Sequence, residues 1–420
     1  MQFFKDLNAY TRCSRECVCK EGGKTIDLRW IDINKGDIMN PLYRSRLVGR
    51  EYNRGKDNSL YAATPPLEAL RVIISHAATT DGDHTREIMV NDVSRAYFYA
   101  PVKRPLFVEL PAEDKEARPG EVGRLNVCLY GTRDAAKGWQ QALSEHLMGL
   151  GFIRGKGYPA LFHHPEKEVM TLVHGDDYCS AGPRASLDWM EGELPKQYQI
   201  KSHRINSSEG DGSELKVLNR VIRRTPQGYE LEGDQRHGEL VLELLELQEK
   251  RGCVTPGTDA PCSSGQRDTV SPPGDRGTVT EDDGEEQLLT KEEATQFSAI
   301  SARCLYMSMD RPEIQYAVKE VCRETSAPTM KSWKKLERVG QFLKERPRTV
   351  WRFDWQSRQL VMDVFGDSNW AGCKRTRKST SGGAIKIGSH CIKTWSKTQG
   401  LIAKSSDEVE LLRSSKSYKR

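Results

Sequence analysis

Three aspartates of this chain have the residue type and spacing expected of a divalent-metal site. Asp176 and Asp177 are neighbours in the segment TLVHGDDYCSAG, between the apolar run 171–173 and Tyr178. Such a pattern predicts a tight turn joining two short strands of a hairpin. Asp92 lies upstream and follows a second strand-like run, residues 88–90. If the two runs are neighbouring strands, the three carboxylates meet in space.

Carboxylates placed together repel one another unless a positive charge neutralises them. Mg²⁺ suits this role because it binds carboxylate oxygens, keeps several waters and completes its shell with substrate phosphates. Two such ions about 4 Å apart can activate a hydroxyl and stabilise the leaving oxygen of a phosphoryl displacement. The pattern therefore indicates polymerase or nuclease chemistry. Taken singly, each aspartate is more often a turn or cap residue, so the surrounding sequence has to decide.

Composition limits the classes of protein that the chain can belong to. The 420 residues carry a formal net charge of +5 and 11 cysteines. Residues 252–293 contain ten acidic and three basic residues, which leaves +12 on the rest of the chain. A basic body with an acidic insert is consistent with a phosphate-binding groove, although an ordinary charged surface also fits. No apolar run is long enough to span a membrane.

The cysteines show no disulfide framework, and no secretory signal opens the sequence. We therefore expect a reduced intracellular chain, cytoplasmic in a virus-like particle or nuclear. Cys13, Cys17 and Cys19 lack a second Cys/His pair at zinc-finger spacing, which favours ordinary thiols over a zinc site.

Six sequence blocks, in the same order, resemble the reverse transcriptase and ribonuclease H region of copia-type retrotransposon polyproteins, from about residue 24 to residue 410. They are LRWIDINKGDIMNPLYRSRLVGREYN (28–53), NDVSRAYFYAPVKRPLFVELP (91–111), LNVCLYGTRDAAKGWQQALSEHLMGLGF (125–152), HGDD (174–177), the helical stretch 297–344 and VFGDSNWAGC with its continuation (364–410).

The resemblance implies an α+β fold: a right-hand polymerase palm with fingers and thumb, then a helical connection and a truncated ribonuclease H-like α/β domain. The expected boundaries are a poorly ordered segment 1–24, the reverse transcriptase region 25–251, an acidic Gly/Pro/Ser linker 252–290, the connection 291–347 and the ribonuclease H-like domain 348–420. The linker has too little apolar material to fold by itself.

The resemblance also implies that Asp92 and Asp176 bind two Mg²⁺ ions, with Mn²⁺ as a possible substitute, and that Asp177 supports the pair. Tyr97 matches the aromatic position beneath the nucleotide sugar, where its bulk would exclude a 2′-hydroxyl. A half-buried strand residue is the alternative for Tyr97. His174 stands where the family has an aromatic residue.

Other implied substrate contacts are less specific. Arg44, Arg46 and Arg50 lie on a hairpin-like segment that would reach over the triphosphate, since guanidinium groups match phosphate oxygens. A solvated basic face is an equal alternative. Tyr130 and Gly131 match the family's Leu-Tyr-Gly position near the templating base, or form a plain turn.

In the last block, Asp367 and Glu408 match the first strand Asp and the helix Glu of ribonuclease H. The further aspartates of that site are missing between Glu408 and Arg420. We therefore expect ribonuclease H activity to be lost by truncation.

The expected function is that of an RNA-directed DNA polymerase of a copia-type retrotransposon. Its partners would be an RNA template, a DNA primer, the RNA–DNA hybrid and deoxynucleoside triphosphates, without a membrane. The alternative is a catalytically inactive relic that only binds nucleic acid.

Overall fold

The computed structural model describes residues 2–34, 36, 39–52, 55, 62, 64–80, 86–205, 214–257, 287–373, 376–408 and 410. The chain divides into two compact units. The first contains Met1–Ala77 and His84–Arg204, and the second contains Ala78–Asp83 and Ile205–Arg420. Helices and strands are mixed in both, which confirms the predicted α+β class.

The helices and strands alternate along most of the chain. The α-helices are α1 (Gln2–Asp6), α2 (Glu16–Lys20), α3 (Leu67–Ala77), α4 (Ala135–Gly149), α5 (Arg184–Glu193), α6 (Arg236–Leu244), α7 (Lys291–Met307), α8 (Gln315–Cys322) and α9 (Met330–Glu345). The strands are β1 (Tyr10–Ser14), β2 (Lys24–Ile26), β3 (Leu28–Asn34), β4 (Tyr43–Gly49), β5 (Thr79–Thr80), β6 (Arg86–Val93), β7 (Leu106–Val108), β8 (Glu121–Leu125), β9 (Ile153–Arg154), β10 (Leu161–His164), β11 (Val169–His174), β12 (Asp177–Pro183), β13 (Ile200–Ile205), β14 (Glu214–Val217), β15 (Arg220–Thr225), β16 (Gly228–Gly233), β17 (Val350–Asp354), β18 (Gln356–Ser357), β19 (Met362–Asn369), β20 (Thr380–Ile387) and β21 (His390–Thr398).

A six-stranded sheet of order β13-β6-β12-β11-β10-β9 forms the centre of the first unit. Strand β12 is antiparallel to both of its neighbours, β6 and β11. Met89 and Val93 of β6 are buried in one core with Trp139 of α4 and Met190 of α5. Helix α3 packs against β6, β11 and β12. Strands β6 and β12 therefore pack against helices as well as pairing with each other.

The N-terminal residues differ from the expectation of a poorly ordered segment. Strand β1 pairs with β8 in a four-stranded sheet of order β1-β8-β7-β2. A polar cluster holds it there: Arg12 donates to Asp114 at 2.8 and 3.0 Å, and the Tyr10 hydroxyl donates to the same carboxylate at 2.6 Å. Charge-assisted, bidentate bonds of this kind fix geometry over long sequence distances. Because these contacts are polar, they produce no hydrophobic periodicity that sequence inspection could detect.

The second unit contains a four-stranded sheet, a group of helices and a three-stranded sheet. The sheets have the orders β14-β15-β16-β17 and β19-β20-β21. Thr290 and Thr329 begin α7 and α9 with capping boxes, in which each side chain accepts a bond from the third backbone N–H of its helix.

Helix α6 packs against α7 and α9 and shares their core through Val241. The division between the units at residues 204 and 205 thus lies upstream of the expected boundary at 251. The reason is that the apolar stripe of α6 is buried by helices of the connection. Most of the expected linker, residues 258–286, lies outside the described residues. Within the part that is described, no helix is long and apolar enough to cross a bilayer.

Candidate active site

The three aspartates singled out from the sequence lie together at one end of the central sheet. Asp92 and Asp177 are directly opposite each other in the pairing of β6 with β12. Directly opposed residues of an antiparallel pair project to the same face. Asp176 lies in the two-residue turn Gly175–Asp176, because His174 pairs with Asp177. The backbone N–H of Val93 donates to the carbonyl of Asp176 at 2.9 Å.

The electrostatics of this cluster suit a cation. Burial, together with the charges of Asp176 and Asp92, raises the pKa of Asp177 to about 6. Among the described residues, no basic side chain forms an ion pair with any of the three. The negative charge is therefore left for something outside the protein to neutralise.

A metal ion bound here would need ligands besides the protein. Over the described ranges, no group of three or more His, Cys, Asp or Glu side chains is arranged so that it could hold a metal ion by itself. Mg²⁺ does not require one, since it is commonly held by one or two carboxylates together with waters and substrate phosphates. The exposed carboxylate of Asp92 and the half-buried carboxylates of Asp176 and Asp177 fit that mode of binding.

A cavity of about 560 Å³ opens beside two of the aspartates. Its lining combines acidic, basic and aromatic side chains: Phe4, Trp30, Arg44, Ser45, Arg46, Leu47, Asp92, Val93, Ser94, Arg95, Phe98, Tyr130, Asp176, Gln199 and Lys201. The arginines of β4 thus face the same space as Asp92 and Asp176. A phosphate-bearing ligand with a bound cation would meet complementary charges there.

Of the three predicted arginines, two line this cavity. Arg44 and Arg46 do so, and the Arg46 guanidinium lies 5.7 Å from the ring centroid of Tyr130. Arg50 lies beyond the end of β4 and donates to the hydroxyl of Tyr52 at 2.8 Å. The alternating side-chain direction of a strand places residues 44 and 46 on one face.

Tyr130 and Gly131 hold the β3–β4 hairpin next to the cavity. The carbonyl of Tyr130 accepts a bond from Gly49 at 2.7 Å. Gly131 has φ of +85°, and a Cβ at this position would lie 2.1 Å from the carbonyl oxygen of Gly49. Glycine is therefore required by both backbone conformation and close approach. Burial and then the charge of Asp176 raise the pKa of Tyr130 to about 12, so its phenol stays neutral.

Tyr97 and Phe98 occupy different environments. The ring of Tyr97 lies 4.4 Å from that of Tyr130, and burial followed by the charge of Asp176 raises its pKa. Phe98 belongs to the lining of the cavity and is buried against Phe4. Tyr97 packs partly against the core behind the sheet. Phe98 also belongs to a buried core cluster with Phe4 and Leu106.

The two predicted ribonuclease H residues belong to the second unit. Asp367 lies in β19 and accepts a bond from the backbone N–H of Ser368 at 2.8 Å. Glu408 accepts a bond from the backbone N–H of Lys404 at 2.7 Å. Both contacts are local to their own segments.

Among the residues of the cavity that sequence inspection missed are Arg95, Gln199 and Lys201. Arg95 follows Asp92 by three residues, so its spacing was an available signal. Gln199 and Lys201 reach the site only because β13 pairs beside β6. The carbonyl of Gln199 accepts a bond from Ser94 at 2.8 Å. No local sequence pattern predicts that β13 pairs with β6.

Arg95 has a strained backbone, which gives a stability prediction. Its φ and ψ of 59° and 42° are left-handed, a conformation that costs most residues about 1–2 kcal/mol but suits asparagine. We expect Arg95→Asn to raise the free energy of unfolding by about 1 kcal/mol. Denaturant titration followed by tryptophan fluorescence measures the free energy of unfolding.

Arg184→Asn, at the start of α5, is the control and should not raise the free energy of unfolding. An Arg95→Asn chain that is no more stable than the native chain would contradict the prediction.

Comparisons with known proteins show what the chain is similar to. Residues 17–208 match the family Reverse transcriptase (RNA-dependent DNA polymerase). The chain is 25% identical over 399 residues to the retrovirus-related Pol polyprotein from transposon RE2 of Arabidopsis thaliana, covering 92% of this chain and 25% of the relative. The corresponding polyprotein from transposon RE1 of the same plant is 26% identical over 402 residues, with the same coverage.

A third relative is the retrovirus-related Pol polyprotein from transposon TNT 1-94 of Nicotiana tabacum, 22% identical over 402 residues, which covers 93% of this chain and 28% of the relative. The chain thus spans about a quarter of the length of these curated relatives. Residues 17–208 thus match the reverse transcriptase family, and nearly the whole chain is similar to copia-type retrovirus-related Pol polyproteins of transposons.

Proposed function

We propose that this chain is an RNA-directed DNA polymerase that adds deoxynucleotides to the 3′-hydroxyl of a primer on an RNA template. The observation that carries the proposal is the meeting of Asp92, Asp176 and Asp177 beside a cavity that also holds Arg44 and Arg46. The family match supports the same chemistry and makes nucleic acid and deoxynucleoside triphosphates the expected partners. In this proposal the first unit supplies the palm and fingers, and the second unit begins with the thumb.

Asp92 and Asp176 would hold two Mg²⁺ ions, or Mn²⁺ in their place, and Asp177 would support the pair. When bound, the ions make the primer hydroxyl easier to deprotonate and stabilise the charge on departing pyrophosphate. Arg44 and Arg46 would bind the triphosphate oxygens and orient the α-phosphate for in-line attack. Short, ionised aspartates act only as hydrogen-bond acceptors. They therefore do not donate hydrogen bonds to the oxygens of the substrate.

The test is primer extension by the purified native chain. An oligo(dT) primer on a poly(rA) template with Mg²⁺ and dTTP should be extended, and omission of the template should abolish incorporation. A chain that binds the hybrid but never extends it would be an inactive relic, and the proposal would fail. The logarithm of the hybrid affinity should fall linearly with the logarithm of salt concentration, as phosphate contacts require.

Tyr97 would exclude ribonucleotides through its bulk beneath the sugar. We expect Tyr97→Ala to raise the efficiency of ribonucleotide over deoxynucleotide incorporation by about 10–200-fold, the range that shape discrimination in a pocket typically provides. Single-nucleotide kcat/KM for UTP and dTTP measures this ratio. Phe98→Leu is the control, because Phe98 is the neighbouring aromatic residue of the cavity. A change in the ratio for Phe98→Leu alone would assign the exclusion to Phe98.

The second unit would contain a ribonuclease H-like region in which Asp367 and Glu408 are the candidate acidic residues. Their proposed role rests on sequence resemblance. We expect the native chain to leave the RNA strand of an RNA–DNA hybrid intact; metal-dependent cleavage that Asp367→Asn abolishes would overturn this expectation and assign a catalytic role to Asp367.

A further inference from the structure

The turn that carries Asp176 is tied to helix α4 by one side chain. The indole N–H of Trp139 donates to the carbonyl oxygen of Gly175 at 2.7 Å. Gly175 is the first residue of the two-residue turn and has φ of +64°. The bonded carbonyl belongs to the peptide unit that joins Gly175 to Asp176. The orientation of that peptide plane fixes where the Cα of Asp176 lies.

Trp139 has surroundings that hold its indole in one orientation. Its side chain is 1% exposed. Its ring packs edge-on against Tyr198, with centroids 5.4 Å apart, and lies 6.4 Å from Tyr99. Any large apolar side chain could fill this volume. Only an indole brings a buried donor, and a buried donor requires an acceptor.

The turn itself has little packing to hold it. A Cβ built on Gly175 would find no atom within 4 Å. The position of the turn therefore depends on hydrogen bonds. Its second carbonyl, that of Asp176, accepts the bond from Val93 at 2.9 Å. One bond comes from the strand that carries Asp92, and the other comes from α4.

We propose that Trp139 is a positioning residue for the metal-binding carboxylates, acting through its hydrogen bond to Gly175. This inference deepens the proposed function and rests on it. Loss of the bond would free the Gly175–Asp176 peptide to rotate, and the carboxylate of Asp176 would leave the geometry set by Asp92. Groups that hydrogen-bond to metal ligands and so orient them typically contribute 10- to 100-fold to metal affinity or activity.

The test compares Trp139→Phe with Trp189→Phe in the whole chain. The first variant keeps an aromatic ring and removes the donor. The second makes the same chemical change at a tryptophan that packs against the same core and stacks on Phe152, away from the turn. Thermal unfolding shows whether each variant is folded. Mn²⁺ is the probe: its dissociation constant is measured by electron paramagnetic resonance of the free ion, with Asp176→Asn defining binding at this site.

We expect Trp139→Phe to weaken Asp176-dependent Mn²⁺ binding and to lower kcat for single-nucleotide addition, each by about 10-fold or more, with the KM for dTTP nearly unchanged. Trp189→Phe should change neither. A second variant separates loss of the hydrogen bond from loss of the fold. Site-specific β-(3-benzothienyl)alanine at position 139 keeps the shape of the indole and replaces its N–H by sulfur. It should reproduce the effect of Trp139→Phe.

Native-like Mn²⁺ affinity in both position-139 variants would overturn the inference, as would a native chain with no Asp176-dependent Mn²⁺ binding. A native chain that binds Mn²⁺ in this way, loses affinity on Trp139→Phe and extends no primer would contradict the proposed polymerase function alone. In that outcome the positioning role stands.

Discussion

Replacing Asp176 by asparagine is expected to reduce Mg²⁺-dependent primer extension by about 10³-fold or more. The substitution keeps the size of the side chain and removes a charged ligand from a cluster whose other members lie on β6 and β12. Charge stabilisation by a bound divalent ion contributes several kcal/mol to such a transition state, and each 1.36 kcal/mol corresponds to tenfold in rate. The rate of single-nucleotide addition at saturating dTTP is the measurement.

Asp188→Asn is the matched control for this substitution. Asp188 lies on α5 of the same unit, exposed, and pairs with Arg204 at 2.6 Å. The Asp188→Asn substitution makes the same chemical change away from the cavity. The rate of primer extension should therefore stay within about twofold of the native rate, as expected for a surface ion pair. Equal rates for the native and Asp176→Asn chains would remove the basis of the proposed mechanism.

The largest expected effect on stability comes from a buried ion pair of the second unit. Arg220 of β15 donates to both carboxylate oxygens of Asp310, at 3.1 and 2.9 Å. Their side chains are only 6% and 8% exposed. Asp310→Asn would leave the guanidinium buried without a counter-charge. We expect the free energy of unfolding of this unit to fall by about 3–5 kcal/mol.

Two further variants separate the ion pair from general packing. The double variant Arg220→Leu with Asp310→Leu removes both charges and should recover much of the loss, because apolar replacement of a whole buried pair is often neutral. Asp234→Asn is the less buried control: its side chain is 28% exposed, the substitution breaks a pair with Arg236 at 3.4 Å, and it should cost less than about 1 kcal/mol. Hydrogen exchange of β15 and β16 amides reports the stability of this unit. Equal protection in Asp310→Asn and Asp234→Asn would show that the buried pair contributes nothing.

The hairpin that carries Asp176 could be predicted from the chain alone. An apolar run, a glycine, two aspartates and a second apolar run have the alternation and turn chemistry of a two-residue hairpin. The register that places Asp92 opposite Asp177 could not be read the same way. It depends on pairing between strands that are distant in sequence; resemblance to a known family implied only that the three aspartates share one site.

Other features of the site leave no sequence signature. Trp139 appears in the sequence as one apolar residue of an amphipathic helix, since periodicity reports the buried face but not the acceptor of an indole N–H. Lys201 enters the cavity through the placement of β13 beside β6. The strand β1 was missed because a buried carboxylate, Asp114, holds it through Arg12 and Tyr10 rather than through an apolar stripe.

The convergence of the three aspartates on a divalent cation is tested most directly by anomalous X-ray scattering from crystals of the chain soaked in Mn²⁺ with a primer–template and a non-hydrolysable deoxynucleotide. We predict an anomalous peak about 2.2 Å from carboxylate oxygens of both Asp92 and Asp176, in line with the short bonds of ions of this type. Ordered nucleotide in the cavity with no anomalous peak at these carboxylates would contradict the account.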